Sequence, residues 1–435
     1  MSTGLRWLFL ALVRLFYPSI RVENADRVPV AGPMLIVGNH PNGLLDPVVM
    51  RLALGRPVSF LAKSTLFGNA IGRLAMSAFE AIPVFRSKEA DTSKNEDTFF
   101  RCVTHLSAAG ALALFPEGTS HSETRLLPLK TGAARIALQF GASSMPLTIV
   151  PMGLLYEDKE TFRSAVSVTV GRPFTIEAFV AQHALDHKAA VAALTQRIAD
   201  GLGECVLEAD DGIVLKAILS VAVWTSPDGG RDEAQLDLRA RRLAEAFRRL
   251  QGDDPATAEV VLRSVTDFQR LLQSVGIKTP LIWDGQAKPS AADVWRGLLP
   301  LVLLAPIALL GAMLAWVPYS VVKPVAVRLA GRETDVISTI KLLLGLLVLT
   351  LTYAFWIGLA FLGFGPSAAL GIAVLGPATG FIALRWGERL DRRRLLLRSR
   401  WVRANRQDLI EAIAERRAEL VRTVQQAMSD EVDEA

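Results

Sequence analysis

Two stretches of the chain stay uncharged for far longer than a core helix requires. Between Arg296 and Lys323 lie 26 uncharged residues, and between Lys341 and Arg385 lie 43, from Leu342 to Leu384. One membrane span needs about 20 apolar residues. The longer stretch therefore predicts a two-span hairpin over 343–384, turned at Gly363, Gly365 and Pro366. The shorter, 297–319, contains Pro300, Pro306 and Pro318; prolines are tolerated in membrane helices and also mark broken ones, so it predicts a re-entrant or transmembrane segment. The N-terminal run LRWLFLALVRLFY (5–17) is too short to span and is interrupted by Arg14. It predicts an interfacial helix within 1–19, with Trp7, Phe9 and Phe16 at the headgroup boundary, or else a helix of the soluble core.

Between these segments the pattern changes twice. Residues 20–176 alternate β-rich runs with helical patterns, which predicts an α/β domain. MLIVG (34–38), VSFLA (58–62), ALALF (111–115), PLTIVPMGLLY (146–156) and VSVTVGRPF (166–174) read as strands; 46–55, about 94–109 and 131–141 read as helices. From 177 to 285 the strand pattern stops, and segments such as EAQLDLRARRLAEAFRRLQG (233–252) predict a helical region.

Composition sharpens this picture. Apolar residues make up 51% and charged ones 21%, below the roughly 25% charge of soluble domains. Two cysteines, Cys102 and Cys205, exclude a disulfide scaffold or a CxxC metal site. The net charge is only +5, yet the stretch 385–406 holds nine arginines against Glu388 and Asp391. Under the positive-inside rule that tail is cytoplasmic, as is the linker carrying Lys323, Arg328, Arg332 and Lys341. A basic cluster directly after a membrane segment predicts contact with anionic lipid rather than nucleic acid.

Candidate chemistry sits where strands end. MLIVG runs into Asn39, His40 and PNGLLDP, and a histidine at the carboxyl end of a strand is well placed for a ligand crevice. Asp46 is close enough to hydrogen-bond one imidazole nitrogen, which would make His40 a general base; Asp46-Pro47 also reads as an ordinary helix N-cap. In ALALFPEGTSHSETRLLPLKTG (111–132), Gly118 permits a positive φ, Glu117 can accept from a hydroxyl, and Arg125 and Lys130 are anion contacts in waiting. AIPVFR (81–86) ends in Arg86, a residue type suited to phosphate. No G-x-S-x-G nucleophile elbow occurs. His183 and His187 lie four apart in a polar surrounding with no third ligand evident, so no metal site is expected.

NHPNGLLDP (39–47), AIPVFR (81–86), FPEGTSHSETRLLPLKTG (115–132) and IVPMGLLY (149–156) together resemble the four blocks of the glycerophospholipid acyltransferase family. That resemblance covers about 20–180 and implies a PlsC-like acyltransferase domain, a mixed sheet flanked by helices, followed by a helical region and C-terminal membrane helices. It implies that His40 deprotonates a glycerol hydroxyl, oriented by Asp46, and that the hydroxyl attacks an acyl thioester directly. Glu117, Gly118 and Arg86 would form the glycerol-phosphate site, with Lys130 as a further phosphate contact, Lys63 at a substrate-binding position where members often carry a lysine, and Pro151 in the acyl wall. Acyl-CoA or acyl-carrier protein would be the donor substrate, glycerol-3-phosphate or 1-acyl-glycerol-3-phosphate the acceptor, and no cofactor or metal would be needed. Two departures stand out: five residues separate His40 from Asp46 where four are commonest, and Ser120-His121 follows Thr119 where many members carry arginine. Both are similar to a membrane glycerol-3-phosphate acyltransferase subgroup with a His-x5-Asp block. Another lysophospholipid or dihydroxyacetone phosphate as acceptor, or an inactive lipid-binding protein, are the rival readings. The predicted layout is an interfacial helix (1–19), catalytic domain (20–180), helical region (181–290), the segments 297–319 and 343–384, and a basic cytoplasmic tail (385–435).

Overall fold

A strand covered by helices on both faces reads as an unbroken apolar run, and two such runs, MLIVG and ALAL, form the middle of the sheet. The computed structural model describes residues 2–85, 95–141, 145–226, 233–276 and 291–429. The chain divides into two compact units, the first comprising Met1–Glu208 and Ala326–Leu342. Its strands are β1 (Ser19–Glu23), β2 (Met34–Gly38), β3 (Ser59–Lys63), β4 (Ile82–Val84), β5 (Ala111–Leu114), β6 (Thr148–Tyr156), β7 (Ala165–Val170) and β8 (Phe174–Thr175). They pair in the order β1-β7-β6-β2-β5-β3-β4, with β8 also on β6. Neighbours are parallel except β6 with β7 and β6 with β8, so the sheet is mixed.

The helices of this unit are α1 (Ser2–Phe16), α2 (Leu45–Leu54), α3 (Ala70–Ala78), α4 (Asn95–Ser107), α5 (Gly132–Phe140), α6 (Glu177–Leu185) and α7 (His187–Gly203). Successive strand side chains point to opposite faces, and β2 feeds two cores accordingly. Met34 and Ile36 join Val48, Val49 and Met50 of α2 on one face. Leu35 and Val37 join Cys102 and Leu106 of α4 and Ile136 and Phe140 of α5 on the other. On α7, Ala190, Leu194, Ile198 and Leu202 recur every fourth residue along one stripe and enter that second core. The unit therefore runs on to Glu208, past the expected boundary at 180.

The N-terminal helix divides its expected faces differently. Phe16 is buried in the first core and Phe9 packs edge-on against Phe79, with ring centroids 5.8 Å apart. Of the three aromatics assigned to a headgroup boundary, Trp7 alone is exposed, at 67%. Core packing claims the other two because Val13, Phe16 and Tyr17 anchor the C-terminal end of α1 in the domain. Three elements, β1, α3 and β4, have no counterpart in the sequence reading, and the run 166–174 splits into β7 and β8.

The second unit comprises Ala209–Val325 and Leu343–Ala435. Helices α8 (Gly212–Thr225), α9 (Glu233–Asp253) and α10 (Pro255–Val275) pack with α15 (Gln407–Ser429), and Trp224 meets Phe268 edge-on at 4.8 Å. Residues 277–290 of the expected helical region lie outside the described residues. The apolar stretches form α11 (Ala291–Leu314), α12 (Trp316–Ala330), α13 (Ile337–Phe364) and α14 (Pro366–Asn405). Among the described residues, three helical stretches are long and apolar enough to cross a membrane: Arg296–Leu314, Thr334–Phe364 and Pro366–Leu395. The break between α13 and α14 falls at Gly365, whose φ of +84° favours glycine, and Pro366 opens α14. α11 runs antiparallel along α14. A Cβ on Gly311 would strike the Thr379 backbone, Trp386 Nε1 donates to the Leu301 carbonyl at 2.7 Å, and Gly297 abuts the Arg393 guanidinium. α13 joins them through Trp356 Nε1, which donates to the Leu314 carbonyl at 3.1 Å, and Tyr353 Oη, which donates to the Gly376 carbonyl at 2.9 Å.

Candidate active site

Parallel strands collect their carboxyl ends along one edge of a sheet, and loops leaving that edge form the crevice where ligands bind. β2 delivers His40 there, β5 delivers Phe115 to Gly118, and β3 ends in Lys63, which pairs in register with Val84 of β4. Arg86, two residues beyond Val84, lies outside the described residues. Residues up to 90 apart in sequence, His40, Asp46, Glu117 and Lys130 among them, are thus served by one edge.

His40 and Asp46 form a pair. His40 Nδ1 lies 2.8 Å from Asp46 Oδ2, and its ring stacks on Phe115 with centroids 3.9 Å apart and planes 7° apart. Asp46 is 0% exposed. It accepts from the Asn42 N–H at 2.7 Å on Oδ2 and from the Tyr156 hydroxyl at 2.6 Å on Oδ1. Because α2 begins at Leu45, Asp46 lies inside its first turn and does not serve as its N-cap. A carboxylate with donors on both oxygens is held as an acceptor, so the imidazole carries its proton on Nδ1 and leaves Nε2 as the basic lone pair. Among the described residues no group hydrogen-bonds Nε2. Burial, reinforced by the Asp46 charge, holds the Tyr156 hydroxyl well above the usual phenol range, and it remains a donor at neutral pH.

Glu117 is also buried, and its carboxylate is taken up within the protein. Oε1 accepts from the His40 backbone N–H at 2.9 Å; Oε2 accepts from the Leu127 N–H at 2.8 Å and pairs with His121 Nε2. The His121 N–H in turn donates to the His40 carbonyl at 3.1 Å. The geometry thus makes Glu117 a tie between the His40 loop and the loop after β5. Gly118 adopts φ +77°, and the Lys130 stem fills the space a Cβ would take, 3.2 Å from it. Lys130 itself is exposed, with its N–H on the Pro116 carbonyl at 2.7 Å. Pro151 is buried inside β6, where its ring closes on Gly171 and Gly201; a Cβ on either glycine would come within 3.0 Å of it. The two glycines thus make room for the Pro151 ring within the strand–helix packing.

Sequence reasoning missed Tyr17, Asn42, Tyr156 and Lys159. Asn42 Nδ2 donates to Tyr17 Oη at 2.7 Å, and Lys159 Nζ donates to the Pro41 carbonyl and to Ser122 Oγ, each at 2.8 Å. Burial lowers the Lys159 ammonium below its usual range, opposed by Asp46, Asp335 and Glu160. Asn42 stood within the quoted His40 loop, but nothing in the sequence linked it to Tyr17. His183 lies in the last turn of α6 and His187 opens α7, their ring centroids 3.6 Å apart, and no group of three metal-ligating side chains occurs among the described residues.

Comparison with known proteins places these residues in context. Residues 19–154 match the family model described as Acyltransferase. Glycerol-3-phosphate O-acyltransferase 2 of Saccharomyces cerevisiae is 27% identical over 292 residues, covering 61% of this chain and 38% of its own length. Glycerol-3-phosphate O-acyltransferase 1 of the same yeast is 23% identical over 456 residues, covering 80% and 60%. The chloroplastic 1-acyl-sn-glycerol-3-phosphate acyltransferase LPAT1 of Arabidopsis thaliana is 31% identical over 139 residues, covering 32% and 37%. The chain thus spans less than two thirds of each of these relatives.

Proposed function

We propose, from the premise that residues 19–154 are an acyltransferase-family domain, that the protein moves a fatty acyl group from a thioester donor to a hydroxyl of glycerol-3-phosphate or its 1-acyl derivative. The observation that carries this reading is the pairing of part-buried His40 with buried Asp46 at the carboxyl edge of the sheet, with Nε2 unengaged. In the proposed step, Nε2 takes the proton of the acceptor hydroxyl as its oxygen bonds to the thioester carbonyl carbon. Asp46 stabilises the imidazolium so formed. The C–S bond then breaks, and the thiolate leaves with the proton returned by His40, so no acyl-enzyme is required. Lys63, Lys130 and Arg86 are assigned to the acceptor phosphate, and acyl-CoA or acyl-carrier protein to the donor. The two yeast relatives favour glycerol-3-phosphate as acceptor.

The test offers palmitoyl-CoA and palmitoyl-acyl-carrier protein with glycerol-3-phosphate, dihydroxyacetone phosphate and 1-acyl-glycerol-3-phosphate in separate reactions. Product from one glycerol-phosphate acceptor supports the reading; no product from any of them sinks it. Arg86→Ala should raise the acceptor KM by about tenfold or more, the worth of a charge-assisted phosphate contact. An unchanged KM with normal kcat removes Arg86 from the site.

The same reading places the catalytic domain on the cytoplasmic face. Residues 326–342 belong to the catalytic unit, so the chain enters the bilayer after Leu342, turns at Gly365 and returns at the arginine-rich stretch beginning at Arg385. The segment 297–319 is re-entrant in this arrangement. Gly311 opposite Thr379 and Leu301 opposite Trp386 set Leu314 level with about Gly376. At 1.5 Å per residue that is roughly 15 Å from the Pro366 turn, about half of a ~30 Å hydrocarbon core. The charge on Lys323 fits a tip at this depth, since it follows the Ala315 break by only about 12 Å of helix. A membrane-impermeant maleimide reads the arrangement directly. Burial pushes the Cys102 thiol up to about 12, and Cys205 is buried, so the natural cysteines stay silent. Ser367→Cys should label from the outside and Asn405→Cys only in inverted vesicles. Outside labelling of Ala315→Cys would make 297–319 a full span.

A further inference from the structure

The segment that leads into the membrane hairpin is built into the catalytic unit, far in sequence from the family match. Ser338 is wholly buried and donates from Oγ to the Lys159 carbonyl, which also accepts from the Tyr17 hydroxyl. Lys341 Nζ donates to the Glu160 carbonyl at 2.6 Å, and Thr334 Oγ1 is hydrogen-bonded to Ser122 Oγ. Gly43 has φ +46°, and the space a Cβ would need is filled by the Asp335 carbonyl at 3.2 Å and Thr339 Oγ1 at 3.6 Å. From these anchors a continuous chain of contacts reaches the imidazole. Lys159 holds the Pro41 carbonyl; Tyr17 holds the Asn42 side chain; the Asn42 N–H holds Asp46; Asp46 holds His40.

We propose that residues 334–341 are a positioning element of the acyl-transfer site, fixing the Pro41–Gly43 loop from behind and thereby the orientation of the His40 ring. The proposal rests on the functional reading above and adds to it a part of the chain 180 residues beyond the matched region. It explains why a polar linker between two apolar stretches contains a wholly buried serine, Ser338, and a largely buried aspartate, Asp335. α13 begins within the element, at Ile337. A general base works only within hydrogen-bond reach of the proton it takes, and a misplacement of 1 Å can cost ~10²-fold in rate.

The test uses the full chain in lipid nanodiscs. Ser338→Ala removes one anchor, and Lys159→Met removes the two bonds to Pro41 and Ser122. Both should lower kcat about tenfold or more while leaving acceptor KM within about twofold, since the loop is loosened without touching the phosphate contacts. Deuterium uptake of the 39–46 peptide should rise in both variants. Val221→Ala, a cavity in the separate helical unit, serves as the control for general destabilisation and should leave kcat and that peptide unchanged. Wild-type kcat in both variants, with unchanged exchange at 39–46, overturns the proposal while the functional reading stands. Should Ser338→Ala fail to fold, Lys159→Met and Thr334→Val decide by the same two readouts. A wild-type chain inactive on every acceptor removes the functional reading, and the exchange measurement then decides by itself whether 334–341 orders the His40 loop.

Discussion

His40→Ala should lower kcat/KM by about 10³-fold or more, the usual contribution of a positioned general base, while the protein keeps its helical content and its membrane insertion. The ring's own contacts are few: Asp46 on Nδ1 and the face of Phe115. Asp46 retains the Asn42 N–H and the Tyr156 hydroxyl when the ring is gone, so its buried charge is not abandoned. The companion change, Asp46→Asn, separates orientation from basicity. All three partners of that carboxylate are donors, so an amide NH2 must face one of them and lose a hydrogen bond. Asp46→Asn should therefore cost both kcat and thermal stability, whereas His40→Ala costs mainly kcat. Steady-state kinetics alongside a thermal melt distinguishes the two, and retention of most activity by His40→Ala would remove the proposed mechanism.

The contacts that build this site differ in how far the sequence reveals them. His40 and Asp46 lie six residues apart at a strand end, so a single turn brings them together and the pair is legible locally. The buried strands β2, β5 and β6 are legible for a similar reason, as unbroken apolar runs with β-branched or small residues. β1 is not: SIRVE carries Arg21 and Glu23 on an edge strand, and only pairing with β7, some 146 residues away, makes it a strand. Tyr156 reaches Asp46 across 110 residues, and Ser338 reaches Lys159 across 179. Neither contact leaves a spacing to read. The linker 323–341 showed only its charges, which speak to membrane orientation, and its buried Ser338 and Asp335 are ordinary polar residues until the fold surrounds them. Phe9 and Phe16 leave two readings open in the sequence, because an apolar face looks the same whether a core or a bilayer covers it.

Glu117 is where the inherited expectation and the geometry make opposite forecasts, and one substitution series separates them. If its carboxylate ties the His40 loop to the loop after β5, Glu117→Ala orphans the His40 N–H, the Leu127 N–H and His121 Nε2 at once. Leaving one buried donor unsatisfied costs ~1–3 kcal/mol, so a loss on the order of 3 kcal/mol or more is expected for the three together. For a domain of this size that corresponds to a fall in melting temperature of roughly 6–12 °C. Glu117→Gln keeps the volume and one acceptor oxygen but turns the other position into a donor facing donors, so it should lose roughly half as much stability and still depress kcat through the shifted His40 backbone. If Glu117 instead accepts a hydroxyl from the glycerol-phosphate, Glu117→Gln keeps the native melting temperature and kcat, and the acceptor KM alone rises. The buried carboxylate with all its contacts internal favours the first outcome. In that case the Pro-Glu-Gly turn acts on the acceptor indirectly, by holding the base that deprotonates its hydroxyl, and the phosphate is left to the cations at the ends of the neighbouring strands.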